Sequence, residues 1–319
     1  MRIVFGSNVA REPVLKVLRE VPDIELVEVN DLAEIAPLVE SADALVLSDP
    51  RGKDGAAIAA ALRQPGCRVK WIQITTAGAN GLLVHGVPAG VTLTNQGGAV
   101  APTVAEHAMA MILAMTRRIP EITARSARHE WNKDFTPALY SLEGKTLAIV
   151  GYGNLGRQLA KRARGFDVKI VGLSRSLKSD PLADEIVPMT AINETLARAD
   201  IVAVCIASTP STRHVVDAAA FASMKQGAFF VNVSRGETVD QVALRQALVD
   251  KRLAGAFIDV TEPEPLPADD PLWDAPNLII SPHTAGAGGV GTGGRIAKVV
   301  KENIELFKAG RPLLHQVKE

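Results

Sequence analysis

The sequence predicts an α/β fold of two doubly wound parallel-sheet, Rossmann-like domains, with the second inserted in the first. Three observations lead there. Short β-rich runs alternate with stretches of crossover-helix length along the whole chain. Most of those runs are continuously apolar, as strands covered on both faces are. A length of 319 residues, with 47% apolar and 22% charged, is more than one compact core usually holds and ordinary for two.

The first series of strands is read at 2–5, 24–29, 44–48, 71–74 and 91–94. Pro102 then opens an amphipathic stretch that runs to Ile119, with Val104, Ala108, Ile112 and Met115 on one face. Proline suits the first turn of a helix, so this stretch is read as the helix joining the two units. The second series of strands falls at 146–150, 168–173, 201–206, 228–233, 255–260 and 278–281. A final helix from about 295 to 308 follows the glycine-rich segment 286–294, whose glycines let the chain cross back. The expected division is 1–98 with 287–319 as a flavodoxin-like substrate-binding domain, and 99–286 as the dinucleotide-binding domain.

Bulk properties exclude several functions. Lys plus Arg equals Asp plus Glu at 35 each, so the basic surplus of a nucleic-acid binder is absent. The basic group Lys161, Arg162 and Arg164 reads as a solvated helix end. Cys67 and Cys205 lie in no metal-ligand spacing, so no metal site is expected, and two lone cysteines fit a reducing, cytoplasmic setting. The opening MRIVFGSNVA runs straight into a strand without the pattern of a secretory leader, and no apolar run approaches bilayer length. No membrane partner is expected.

The segment GYGNLG places Gly151, Gly153 and Gly156 in a GxGxxG pattern, with Asn154 and Leu155 between them. Alone the pattern is weak. Here a strand precedes it, a helix follows, and a second strand completes a βαβ unit, which is the context of a dinucleotide site. The glycines allow a tight turn and close approach of backbone to a pyrophosphate at a positive helix end. GAGGVG (286–291) repeats the spelling, but no strand follows its helix, so it reads as a crossover. After the second strand of the βαβ unit an NAD site usually carries an acid. Ser174, Arg175 and Ser176 stand there instead. A carboxylate repels a 2′-phosphate, whereas a guanidinium and hydroxyls bind one, so NADP(H) is expected over NAD(H).

Arg235, Glu264 and His283 each lie just beyond a buried strand. Parallel strands would bring all three to one sheet edge, where open α/β sheets bind ligands. Their chemistry suits reduction of a 2-keto acid. A guanidinium can grip carboxylate and carbonyl oxygens together. Histidine moves a proton near neutrality, and a neighbouring carboxylate orients it and favours its charged form. His107 has no such company, and Glu106 beside it points elsewhere on the helix.

These segments resemble the D-isomer-specific 2-hydroxyacid dehydrogenases, a family that includes glyoxylate and hydroxypyruvate reductases. The resemblance covers nearly the whole chain. It rests on TTAGANGL (75–82), VAEHAMAMILAMTRR (104–118), GYGNLG (151–156), VNVSRGETVD (231–240), DVTEPEPLP (259–267) and SPHTAG (281–286). It implies that Arg235, Glu264 and His283 are catalytic, and that the amides of Ala77, Gly78 and Ala79 hold the substrate carboxylate. It further implies that Asp259 and Thr103 meet the nicotinamide, that the product has D configuration, and that the chain forms a homodimer in which Trp131 reaches the partner. Ser174 and CIASTPST (205–212) depart from the commonest pattern, the first in the direction of NADP(H). Two alternatives stay open: a phosphorylated substrate held by Arg51 and Lys53, as in phosphoglycerate dehydrogenase, and a non-catalytic nucleotide sensor.

Overall fold

The computed structural model describes residues 1–136 and 138–317. The chain divides into two units, Met1–Val100 with Gly288–Glu319, and Ala101–Ala287.

In the first unit, β1 (Arg2–Gly6), β2 (Glu25–Glu28), β3 (Ala44–Leu47), β4 (Trp71–Ile74) and β5 (Thr92–Thr94) form one sheet in the order β2-β1-β3-β4-β5. Every pairing in it is parallel. β3 and β4 are buried along their whole length, which explains their unbroken apolar sequence. The two-residue period of a strand divides them between two cores. Leu45, Leu47, Ile72 and Ile74 pack on one face. Ala44, Val46 and Trp71 pack on the other, with Ile296, Val300 and Ile304 of helix Thr292–Lys308. Gln73 is the polar exception in β4. It is fully buried, and its Oε1 accepts from Thr94 Oγ1 at 3.0 Å and Asn303 Nδ2 at 2.9 Å.

In the second unit, β6 (Thr146–Val150), β7 (Lys169–Leu173), β8 (Glu185–Val187), β9 (Ile201–Val204), β10 (Ala228–Asn232), β11 (Leu253–Ile258) and β12 (Leu278–Ile280) run in the order β12-β11-β10-β9-β6-β7-β8, all parallel. The chain starts in the middle at β6, builds outward to β8, then returns to β9 on the other side. β6 and β9 therefore flank the point where the winding reverses, the crevice at which such sheets bind ligands.

The predicted α/β class and both parallel sheets are present. Three local expectations need correction. β8 is missing from the predicted strands because it is short and only partly buried, so its apolar signal is weak. The stretch 102–119 is not one helix. Helix Ala101–Thr116 ends before Arg118, which adopts left-handed φ 51°, and Ile119–Ala127 forms a second helix with Pro120 in its first turn. Ala105 and Met109 join Ala108, Ile112 and Met115 on the buried face, while Val104 is only partly buried. The last helix starts at Thr292, and Gln316 adds an antiparallel bridge beside β5 that the sequence pattern does not announce. No helix among the described residues is long and apolar enough to cross a membrane.

Candidate active site

The three glycines of the turn after β6 have three different surroundings. Gly151 has φ +96°, and a Cβ there would lie 2.6 Å from the Cα of Ile206, on the chain leaving β9. Gly156 would press a Cβ to 2.7 Å from the Gly151 carbonyl oxygen and 2.9 Å from Ile149 Cγ2. A Cβ at Gly153 would meet nothing within 4 Å. The first glycine is thus needed for the turn and the third for packing the helix on the strand. The second faces open space, into which a ligand can approach the backbone. Gly153 caps helix Asn154–Ala163 without a side-chain cap. The first-turn amides of a helix have no intrahelical partner and carry partial positive charge. The cradle therefore fits a pyrophosphate, with Asn154, Leu155 and Gly156 in that first turn.

Ser174, Arg175 and Ser176 leave the adjacent β7. The Ser174 amide donates to the Val187 carbonyl at 2.9 Å, and the Ser176 amide to Ser174 Oγ at 3.1 Å. Arg175 is exposed, and among the described residues no carboxylate lies within ion-pair distance of it. The nearby Arg157–Asp180 ion pair ties the following loop to helix Asn154–Ala163.

β10, β11 and β12 are consecutive neighbours in the sheet, so the residues following them emerge side by side. Arg235 begins the turn after β10. Its carbonyl accepts from Asn232 Nδ2 at 3.0 Å and Thr238 Oγ1 at 2.7 Å, and its own Nη1 donates to the Ser234 carbonyl at 2.7 Å. Asn232, Ser234 and Thr238 are all buried. Next to them, Gly236 leaves no room for a side chain, since a Cβ would lie 2.1 Å from the Thr261 carbonyl. That contact joins the loop after β10 to the loop after β11, which carries Glu264.

Glu264 Oε2 lies 2.9 Å from His283 Nδ1, and its Oε1 accepts the Thr261 amide at 3.3 Å. Burial alone would push the Glu264 carboxyl upward. The His283 hydrogen bond and charge, the Thr261 amide and the Arg235 charge more than offset this and hold it below its ordinary value. Glu264 is therefore an ionised acceptor, and Nδ1 is the donor in the pair. His283 sits at left-handed φ 54°, a conformation few non-glycine residues adopt. Its amide bonds to the Asp259 carbonyl at 2.8 Å and the Ser281 carbonyl at 3.0 Å.

Asp259 is almost fully buried and holds the same loop. Its carboxylate accepts from Ser281 Oγ, from the Thr284 amide at 2.8 Å and from the Ala285 amide at 3.0 Å. The family resemblance implies that Asp259 meets the nicotinamide, and nothing in the sequence pattern announces this loop-holding role. Nor does it single out Asn232, Ser234 and Thr238. The available signal was a run of small polar residues at the end of an otherwise apolar strand, where buried polar groups must find partners.

Thr103 stands in the first turn of helix Ala101–Thr116. His107 packs on the Phe257 ring, centroids 5.4 Å apart, and Glu106 is exposed, so they form no second acid–base pair. In the first unit, Ala77, Gly78 and Ala79 form the loop after β4. Arg51 lies 4.0 Å from Asp49, while Lys53 falls inside helix Gly52–Leu62 rather than in a loop.

The chain is similar to known proteins in sequence and in fold. A family model described as D-isomer specific 2-hydroxyacid dehydrogenase, NAD binding domain, matches residues 109–285. A glyoxylate reductase of Korarchaeum cryptofilum is 36% identical over 69% of this chain and 67% of its own length. The structure of a D-isomer specific 2-hydroxyacid dehydrogenase family protein from Aeromonas salmonicida superposes with a TM-score of 0.87 at 28% identity, covering 99% of this chain and 98% of that one. A D-isomer specific 2-hydroxyacid dehydrogenase from Xanthobacter autotrophicus, solved with NADPH and MES, gives 0.81 at 25% identity over 99% of this chain and 98% of its own.

Proposed function

The chain belongs to the D-isomer-specific 2-hydroxyacid dehydrogenase family, and from that premise we propose that it is an NADP(H)-dependent oxidoreductase for a small 2-keto acid. Glyoxylate or hydroxypyruvate is the substrate, and the product is the D-2-hydroxy acid. The observation that carries this reading is the His283–Glu264 pair, 2.9 Å apart and within the field of Arg235, on the sheet edge that also bears the glycine turn.

A bound reduced nicotinamide would supply the hydride. The residues supply the rest. Arg235 binds the keto acid's oxygens and favours the negative charge that develops on the carbonyl oxygen. Glu264 keeps the proton on Nδ1, which leaves Nε2 of His283 to give its proton to that oxygen, or to take it back in the reverse direction. Asp259 holds the loop that carries the histidine. The Ala77–Ala79 amides hold the substrate carboxylate, so Met1–Val100 with Gly288–Glu319 serves as the substrate-binding domain and Ala101–Ala287 as the dinucleotide-binding domain. Arg175, Ser174 and Ser176 select the 2′-phosphate; the lack of an acid at this position supports NADP(H), as does the relative solved with NADPH. Thr103 and Asp259 border the nicotinamide. The chain acts in the cytoplasm as a homodimer. The exposed apolar side chains of Ile119, Ile122 and Trp131 support such an interface.

The test is reduced-dinucleotide oxidation with glyoxylate, hydroxypyruvate and phosphorylated hydroxypyruvate, each with NADPH and NADH. Turnover of the unphosphorylated acids with NADPH is expected. His283→Asn should lower kcat by roughly 10²–10⁴-fold with dinucleotide binding unchanged. Tight NADPH binding without turnover of any acid would refute the enzyme and favour a sensor.

A further inference from the structure

The loop after β4 is held by its carbonyl oxygens. The Ala77 carbonyl accepts from Asn95 Nδ2 at 3.0 Å, and the Gly78 carbonyl from Thr76 Oγ1 at 2.8 Å. The Ala79 carbonyl accepts the Leu82 amide at 3.2 Å and the Leu83 amide at 3.0 Å. The amides of Ala77, Gly78 and Ala79, by contrast, donate to no acceptor among the described residues. Ala79 is almost fully buried, so a lone amide there is costly unless a ligand meets it.

Peptide geometry links the two facts. In a trans peptide the carbonyl and the following N–H point in opposite directions. Among the described residues the cis peptides are at 262–263 and 264–265, and the bonds of this loop are trans. The Asn95 hydrogen bond therefore sets the direction of the Gly78 N–H, and the Thr76 hydroxyl sets that of the Ala79 N–H. Successive amides turned to one side make an anion-binding concavity.

The two clamps are themselves anchored within the same unit. Asn95 donates its backbone amide to the His315 carbonyl at 3.1 Å, and its Oδ1 accepts the Gly97 amide at 2.9 Å. Beside Thr76, the Thr75 amide bonds to the Leu47 carbonyl at 2.8 Å, and the Thr75 hydroxyl lies 2.7 Å from Ser7 Oγ. At the far end, Asp49 Oδ2 accepts the Gly81 amide at 3.0 Å. The single hydroxyl proton of Thr76 goes to Gly78, so this side chain has none to give a substrate.

We propose that Thr76 and Asn95 are positioning residues that aim the Gly78 and Ala79 amides at the carboxylate of the 2-keto acid. The proposal rests on the assignment of this loop to the substrate carboxylate made above. Neither side chain binds the substrate itself; each fixes a peptide plane that does.

Three variants test it. Thr76→Val removes the hydroxyl at nearly constant shape, and Thr76→Ser restores it. Asn95→Asp keeps the acceptor for the Gly97 amide but sets an oxygen against the Ala77 carbonyl. Oxamate, a carboxylate that cannot be reduced, is titrated calorimetrically in the presence of NADPH, and glyoxylate kinetics are run in parallel. Thr76→Val and Asn95→Asp should each raise the oxamate Kd and the glyoxylate KM about tenfold, equivalent to about 1.4 kcal/mol. The kcat should change little, the pattern of lost uniform binding. Thr76→Ser should bind oxamate like the unaltered chain, and all three should bind NADPH normally. Unchanged oxamate binding in both Thr76→Val and Asn95→Asp overturns the proposal, as does a loss shared by Thr76→Ser or no oxamate binding by the unaltered chain. If Thr76→Val does not fold, Asn95→Asp alone decides. Oxamate binding lost in the variants of a chain that reduces no 2-keto acid would uphold the positioning role and refute the dehydrogenase.

Discussion

Replacing Gly153 and Gly156 by alanine, one at a time, separates the ligand-binding and structural roles of the glycine turn. At Gly153 the backbone is extended, with φ −104°, so alanine is tolerated, and its Cβ meets no atom within 4 Å. Alanine is a poorer helix cap than glycine, but it also restricts the unfolded chain, and the two effects of about 0.5–1 kcal/mol nearly cancel. Gly153→Ala should therefore melt close to the unaltered chain. At Gly156 the added carbon would sit 2.7 Å from the Gly151 carbonyl oxygen, where backbone must shift. Overpacking of that kind costs about 1–3 kcal/mol, which in a domain of this size lowers Tm by about 2–12 °C. Both variants should bind NADPH about 10–100-fold more weakly, since each places or displaces atoms where the pyrophosphate approaches. Calorimetric titration and thermal melts read the two effects. Gly153→Ala binding NADPH as tightly as the unaltered chain would refute the assignment of this turn. Equal destabilisation by both variants would refute the steric argument.

Arg175→Ala should reduce the preference for NADPH over NADH by roughly 10–100-fold, the loss expected for a charge-assisted hydrogen bond; kcat/KM for each dinucleotide measures it. Glu264→Gln should destabilise the chain at neutral pH and much less in acid. The Glu264 carboxyl is held below its ordinary value of 4.5, so its contribution is full above that pH and fades as pH falls through the depressed value. Denaturant melts at pH 7 and pH 3 should show the gap narrowing, by less than about 1 kcal/mol because the pair is partly exposed. Trp131, which is 93% exposed, should weaken self-association by about two orders of magnitude when replaced by aspartate; sedimentation reads it, and an unchanged dimer would place the interface elsewhere.

Much of the site is legible from local sequence because its chemistry follows local rules. Continuous apolar runs mark strands covered on both faces, and the polar residues a few positions past such a run stand at the strand's end, where open α/β sheets bind ligands. Arg235, Glu264 and His283 are found within a few residues of such runs, although β12, which leads to His283, is only partly buried and not the buried strand the sequence predicts; GYGNLG is recognised from its strand–turn–helix context. The signal fails where burial is partial, as in β8, or where one left-handed residue breaks a helix, as Arg118 does.

The fold class, the glycine turn and the choice of Arg235, Glu264 and His283 as candidates are readable from the residues alone, because periodicity and residue type act over a few neighbours. Which group holds which is settled by the packing of distant loops. That Glu264 meets His283 at 2.9 Å, that Asp259 is turned onto the 281–285 loop, and that Asn95 clamps the Ala77 carbonyl are facts of strand order and loop approach. Hydrogen bonds act over about 3 Å between residues 18 to 25 positions apart in the chain, and no local pattern encodes which loop will lie next to which.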